Sequence, residues 1–181
     1  MRTKKDEKAY YITPLLRWRA DEREKLFSNL DLFLAKVDLS SKVFPKVSKD
    51  LVELYQNFIK SNNRLEHLLE NYQTPFSLQI PSTPRYFISA LKKPVERTSF
   101  RTLYFRNKND LNFAYLILNS SYMYWWWRVN DGGMTIAEKT LLDLPIPEKI
   151  SIDENIVKSI ENSEIKNKVF KMNAGKLNAN V

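Results

Sequence analysis

The sequence contains no cysteine, three glycines and one histidine. Without cysteine there is neither a disulfide nor a thiolate metal site, which suits a reducing compartment. Three glycines leave no phosphate-cradling loop and no dinucleotide fingerprint, because each needs several at fixed spacing. The single histidine, His67, lies beside Glu66 and near Glu70 in a segment expected to be helical. A histidine-based triad or zinc site would have to be built on it, and no supporting pattern surrounds it. Long apolar runs are also missing. The longest, residues 113–127, is interrupted by Asn119-Ser120-Ser121 and is too short to span a bilayer. The charged N-terminus has no apolar core behind it and so does not read as a signal peptide. A soluble cytoplasmic protein with no membrane partner is expected.

What the sequence does hold is aromatic and basic. Of its 181 residues 43% are hydrophobic and 13% aromatic, enough to bury a core. The formal charge of +8 is unevenly spread. Residues 1–20 carry six Lys/Arg against Asp6 and Glu7. Residues 81–108 carry Arg85, Lys92, Lys93, Arg97, Arg101, Arg106 and Lys108 against Glu96 alone, a net of +6. Residues 21–80 and 109–181 each carry eight bases and nine acids, a net of −1 apiece. A focused basic stretch is the footprint of a polyanion partner, since phosphate contacts supply most non-specific nucleic-acid affinity. The alternative is a solubilising surface.

Along the chain, Tyr10-Tyr11-Ile12-Thr13-Pro14 reads as a short edge strand stopped by proline. Leu26, Phe27, Leu30, Phe33, Leu34 and Val37 recur at helical steps, predicting a helix over 21–37. A longer stripe, with Leu51, Leu54, Tyr55, Phe58, Leu65, Leu68 and Tyr72, predicts a rod over 48–72, with a bend available at Ser61-Asn62-Asn63. Pro75, Pro81 and Pro84 then exclude a helix. Residues 76–80, 86–90 and 99–106 read as strands. In the last of these Phe100, Thr102, Tyr104 and Arg106 face one way, and Arg101, Leu103 and Phe105 the other. Asp110 is expected to cap a buried central helix over 110–129, ended by Asn130-Asp131-Gly132-Gly133. Residues 134–136 are expected to form a short strand, 137–142 a helical turn, and 152–172 an amphipathic helix with Ile156, Ile160, Ile165 and Val169 on one side. The tail from Asn173 is expected to be loose.

Tyr86, Phe87, Phe100, Tyr104 and Phe105 interleave the basic residues, which suits phosphate tracking combined with base contact, although alternation places most of these rings on the core face of a sheet. Arginine is the better candidate for base edges because its planar fork grips guanine bidentately. Trp125, Trp126 and Trp127 point about 100° apart on a helix, so they cannot all face one core. Asp153 with Glu164-Ile165-Lys166 superficially matches an acid…acid-x-lysine nuclease pattern, but that arrangement needs a strand and these residues fall on a helix.

The central stretch carries a family resemblance. Leu118-Asn119-Ser120, the following aromatics, Arg128, Gly132-Gly133 and Leu144-Pro145-Ile146-Pro147 resemble the end of a target recognition domain. Such domains belong to adenine-specific DNA methyltransferases of the bifunctional type II restriction–modification class, and similar ones occur in type I specificity subunits. In that family a strand ending near Leu103-Tyr104-Phe105 leads into the helix bearing the Leu-Asn-Ser, and Tyr86-Phe87-Ile88 and Thr98-Ser99-Phe100-Arg101-Thr102 resemble the preceding strands. The likeness covers roughly 75–150. It implies recognition of a short DNA sequence through the major groove, with S-adenosylmethionine bound and catalysis supplied by a methyltransferase domain. The Asn-Pro-Pro-Tyr-type and glycine-bearing cofactor motifs of that domain appear nowhere in these residues. The chain then corresponds either to a C-terminal piece of a longer enzyme or to a separate specificity module.

The expected fold is α+β, a small mixed sheet packed on a buried central helix with further amphipathic helices. It would comprise a mainly helical part over 1–74, a recognition-like core over 75–150, and a C-terminal helix with a loose tail over 151–181, together expected to form one compact domain. The expected function is non-catalytic recognition of double-stranded DNA, with no cofactor in this chain and a methyltransferase domain or subunit as partner. Arg97, Arg101 and Arg106 would meet base edges, and Arg85, Lys92, Lys93 and Lys108 phosphates. The alternative is a protein-interaction module that docks through the 48–72 helix and Trp125–Trp127.

Overall fold

The computed structural model describes residues 10–37, 44–84, 87–95, 99–131, 133–148, 151–173 and 175–180, and its fold is α+β. The contacts divide the chain into two compact units, residues 1–62 with 128–132 and residues 63–127 with 133–181. One division falls at the Ser61–Asn63 lapse in the apolar stripe.

In the first unit β1 (Tyr10–Ile12) pairs antiparallel with a strand that the helical periodicity of 21–37 did not foretell. That periodicity is realised only in part. An isolated helical turn over Ala20–Glu22 leads into α1 (Arg23–Ser28), where the Asn29 amide donates to the Lys25 carbonyl and the helix stops. Another short turn, Leu30–Leu32, follows, and β2 (Ala35–Val37) alternates buried, exposed, buried. Ile12, Ala35, Val37, Val47, Tyr55 and Val129 are the buried apolar residues described in this unit. The expected 48–72 rod is likewise shorter. Helix α2 (Val52–Lys60) ends where Ser61 turns extended at ψ 137°. Residues 128–132 join the unit through the Lys46 N–H to the Val129 carbonyl at 2.8 Å and the Tyr55 hydroxyl to Asn130 Oδ1 at 2.8 Å.

In the second unit the segment that was to continue the rod pairs instead with Leu144-Pro145-Ile146. Leu65 N–H donates to the Leu144 carbonyl at 2.9 Å, and Ile146 N–H donates to that of Asn63 at 3.1 Å. Tertiary pairing has overridden local helix preference. A turn over Leu65–Leu68 leads into β3 (Leu69–Glu70), beside which lie β4 (Phe76–Pro81) and β5 (Phe100–Phe105). The sheet order is β3-β5-β4 and every pair is antiparallel, so the sheet is not mixed. The register sets Phe76 opposite Phe105, Leu78 opposite Leu103 and Ile80 opposite Arg101, forming the inner face. Residues 86–90 form no strand where described, and Tyr86 lies outside the described residues. The chain returns to β4 at one point, a two-way bridge between Leu91 and Gln79.

Against the inner face lies α3 (Lys108–Leu118), which contributes buried Leu111, Ala114, Tyr115 and Leu118. Its N-cap is Asn107 rather than Asp110. The Asn107 side chain accepts from Asp110 N–H at 2.9 Å, and its amide donates to the Asp110 carboxylate at 2.9 Å. The expected single central helix is two, because Asn119 and Ser120 interrupt it before α4 (Ser121–Asn130). The Ser120 hydroxyl donates to the Ile117 carbonyl at 2.6 Å, so a side chain competes for the helix's own acceptors. Residues 134–136 make no strand, though Ile136 N–H reaches the Ser82 carbonyl at 2.9 Å. Helix α5 (Glu138–Leu142) stands where a helical turn was expected. Helix α6 (Glu154–Asn167), capped by Asp153, is followed not by loose chain but by a hairpin, β6 (Val169–Asn173) with β7 (Lys176–Asn180). Gly175 sits at φ 76° in its turn, a conformation that suits a residue without a Cβ. No helix among the described residues is long and apolar enough to cross a membrane.

Candidate nucleic-acid interface

The residues that carry the family resemblance are structural. Asn119 stands in for a strand residue. Its Oδ1 accepts the Ala90 N–H at 3.0 Å and its Nδ2 donates to the Ala90 carbonyl at 2.9 Å, fixing the chain just before the basic loop. Leu144 is fully buried, Pro145 bridges Arg64, and the Pro145 carbonyl accepts the Tyr122 hydroxyl at 2.9 Å. Trp126 and Trp127 are both buried, with Trp126 Nε1 donating to the Thr140 carbonyl at 2.9 Å. Trp125 is half-buried and stacks on Tyr122, whereas the burial of Trp126 and Trp127 leaves neither presented as a docking surface.

The basic loop is held from beneath by a residue not singled out in the sequence. Gln79, buried on β4, exchanges both main-chain hydrogen bonds with Leu91 at 2.8 Å. Its side chain donates to the Val95 carbonyl at 3.0 Å and accepts the Val95 N–H at 2.9 Å. One glutamine therefore anchors both ends of 91–95. In the sequence it looks like any polar residue on the wet side of an alternating strand, and nothing there marks it.

The expected contact residues that are described separate into four groups. Lys93 and Lys108 are exposed, the latter at the first position of α3. Arg106 is exposed beyond β5, and its Nε donates to Glu70 at 2.9 Å. The Glu70 carboxylate holds the Arg106 guanidinium above its ordinary pKa, so the arginine stays charged while one of its donors is engaged. Arg101 falls in the inner row with buried Leu103 and Phe105, and its Nη1 is buried with no hydrogen-bond partner among the described residues. Lys92 is turned inward with 17% of its side chain exposed. Its ammonium donates to Asn112 at 2.5 Å and to Glu161 at 2.7 Å, and lies 4.6 Å from the centre of the Tyr115 ring. A lysine so engaged is not presented to a phosphate. Arg85 and Arg97 lie outside the described residues.

The outer face of the sheet carries Phe100, 47% exposed, with half-buried Thr102 and Tyr104 between it and Arg106. Phe87 is also exposed, whereas Phe105 is core. The surface on offer is a strip of aromatic and hydroxyl side chains, flanked in sequence by Lys93, Arg106 and Lys108.

Elsewhere the described residues bring together no catalytic set. His67 is exposed and its Nδ1 accepts the Arg64 N–H at 3.3 Å. Asp153 caps α6, and Glu164 Oε1 accepts the Tyr115 hydroxyl at 2.6 Å. Burial and that hydrogen bond push the Tyr115 hydroxyl far above its ordinary pKa, and burial raises Glu164 as well. No group of three or more His, Cys, Asp or Glu among the described residues could hold a metal ion. No family model, curated protein or solved structure matches the chain.

Proposed function

We propose that this chain is a sequence-specific DNA-recognition domain of a restriction–modification system, non-catalytic by itself. An adenine methyltransferase domain or subunit, in cis or in trans, would bind S-adenosylmethionine and carry out the chemistry. The observation that carries this reading is the use made of the resembling residues. Asn119 of the resembling stretch clamps Ala90, and Gln79, outside it, clamps Leu91 and Val95, so a motif residue helps to fix a loop in the most basic part of the chain. Pre-ordered cationic groups next to an aromatic strand face are what a duplex reader needs, because phosphates set register and side chains on rigid elements read bases. Lys93 and Lys108 would meet phosphates, and Arg106 a base edge or a phosphate.

The test is binding of the purified chain to a random duplex pool at two salt concentrations, with the bound fraction sequenced. Enrichment of an asymmetric motif of several base pairs is expected, with affinity falling roughly tenfold or more from low to physiological salt. Absence of binding even at low salt would sink the proposal.

A protein-interaction role has one observation in its favour, in a different place from the one the sequence suggested. In the first unit Tyr11, Trp18, Phe27 and Leu32 are all about half exposed or more. A mass that rises with concentration, together with no affinity for duplex, would favour that role.

A further inference from the structure

Lys92 and Lys93 are neighbours of the same charge with opposite fates. Lys93 is exposed, whereas the Lys92 ammonium is directed into a polar seam between α3 and α6. Helix α6 lines that seam with three acids on one face, the first two about two turns apart and the last two about one turn apart. Glu154 accepts from the Asn112 amide at 3.0 Å, Glu161 from Lys92 at 2.7 Å, and Glu164 from the Tyr115 hydroxyl at 2.6 Å. Asn112 is fully buried yet satisfied on both sides, its carbonyl by Lys92 and its amide by Glu154. The apolar share of the seam is small. Val157 is the buried residue of α6, while Ile156 and Ile165 are exposed. The helix is thus held mainly by directional polar bonds, which have one good geometry rather than many.

The loop has three fixings. Leu91 is pinned to the Gln79 backbone, Val95 to the Gln79 side chain, and Lys92 to Asn112 and Glu161. Two belong to β4 and one reaches α6. Resting on the DNA-recognition reading, we infer that Lys92 is a positioning residue rather than a phosphate contact. Through Lys92, Glu161 of α6 sets the conformation in which the 91–95 loop presents Lys93 to DNA. Any displacement of α6 then loosens the recognition loop.

Charge and position make opposite predictions for Glu161→Gln. Removing an acid from the neighbourhood of a polyanion site strengthens binding if only net charge matters. If Glu161 orders the loop through Lys92, affinity for the selected duplex falls instead, by roughly two- to thirtyfold, the usual range for coupling residues that touch no ligand. The second variant, Lys92→Met, keeps the aliphatic stem. It should reproduce the loss while leaving the slope of log affinity against log salt unchanged, whereas loss of a phosphate contact lowers that slope by about one. Amide hydrogen exchange of the protein without DNA supplies an independent reading, with faster exchange expected at Leu91 and Val95 in both variants. Glu161→Gln binding as tightly as wild type or tighter, with unchanged exchange at those amides, overturns the inference. So does a reduced salt slope in Lys92→Met. Failure of the wild-type chain to bind any duplex overturns the DNA reading instead. The coupling of α6 to the loop then stands or falls on exchange alone.

Discussion

Trp18 in the first unit and Trp127 in the second are the same side chain in opposite circumstances. Trp18 is 47% exposed and meets Phe27 edge to face at 6.1 Å, whereas Trp127 is 1% exposed and meets Tyr124 at 5.7 Å. The contrast extends to the surroundings. Several hydrogen bonds of the first unit's side chains are local, such as Ser28 to the Glu24 carbonyl and Asn29 to that of Lys25. In the second unit Asn119, Gln79, Tyr122 and Trp126 each bond main-chain groups far away in sequence. Irregular backbone can be buried only when its N–H and C=O groups are satisfied, and these side chains do that for 90–95 and 140–145. The first unit has such ties where 128–132 joins it, from Tyr55 to Asn130 and from Lys46 to the Asp131 carbonyl. In the second unit they recur along 90–95 and 140–145, and irregular segments close over a larger set of buried residues.

The largest effect expected from this contrast is on stability. Trp127→Ala should cost about 3–5 kcal/mol, the range for removing a buried aromatic side chain. Trp18→Ala should cost about 1 kcal/mol, close to the worth of one aromatic pair plus partial burial. Urea unfolding of both variants measures the ratio. Equal costs would mean that Trp18 is covered in solution, by another molecule or a second copy, and the contrast would collapse.

A smaller effect addresses the ties themselves. Asn119→Ala leaves the Ala90 N–H and C=O without the partner they have in the native chain, and should cost about 1–3 kcal/mol. Asn119→Asp keeps an acceptor for the N–H but sets a carboxylate oxygen against the Ala90 and Tyr115 carbonyls, and should cost at least as much. If Asn119→Ala is no worse than an average surface substitution, the second unit does not depend on such ties.

Strand positions were legible where alternation had a single interpretation. Residues 76–81 and 100–105 alternate, lie between prolines or basic turns, and form the two long strands of the sheet. Helical periodicity misled wherever another segment offered a better partner. Leu65 sits in the predicted rod, yet its N–H pairs with Leu144, seventy-nine positions later in the sequence numbering, which no local pattern encodes. In α6 the isoleucines suggested the buried face, but Ile156 and Ile165 are exposed. The face that meets α3 carries Glu154, Val157, Glu161 and Glu164, because Asn112, Lys92 and Tyr115 supply donors there. The basic cluster was legible as a sum of charges. Its division into an inward Lys92, an outward Lys93, an inner-row Arg101 and a paired Arg106 depends on partners that only the fold brings together.

The polar seam of α6 allows the finest test of the contrast, because burial there raises the pKa of a carboxyl, Glu164. Desolvation is the largest cause of the raised pKa of Glu164, the Tyr115 hydrogen bond opposes it, and the nearby Glu161 charge adds to it. A carboxyl whose folded-state pKa lies above its unfolded value, about 4.3, binds its proton more tightly when folded. Its favourable contribution is therefore present below the unfolded value and is lost as pH rises through the folded one. Glu164→Gln abolishes that titration while leaving a side-chain oxygen that can accept the Tyr115 hydroxyl. Relative to the wild type, the variant should become progressively more stable as pH rises from about 4 through the raised value, and the difference should level off above it. Urea unfolding of both proteins across that window measures the difference, which should be the smallest of the three effects because the site is half-exposed. Parallel profiles would show that Glu164 titrates alike in the folded and unfolded chain. The seam would then be as wet as the surface of the first unit.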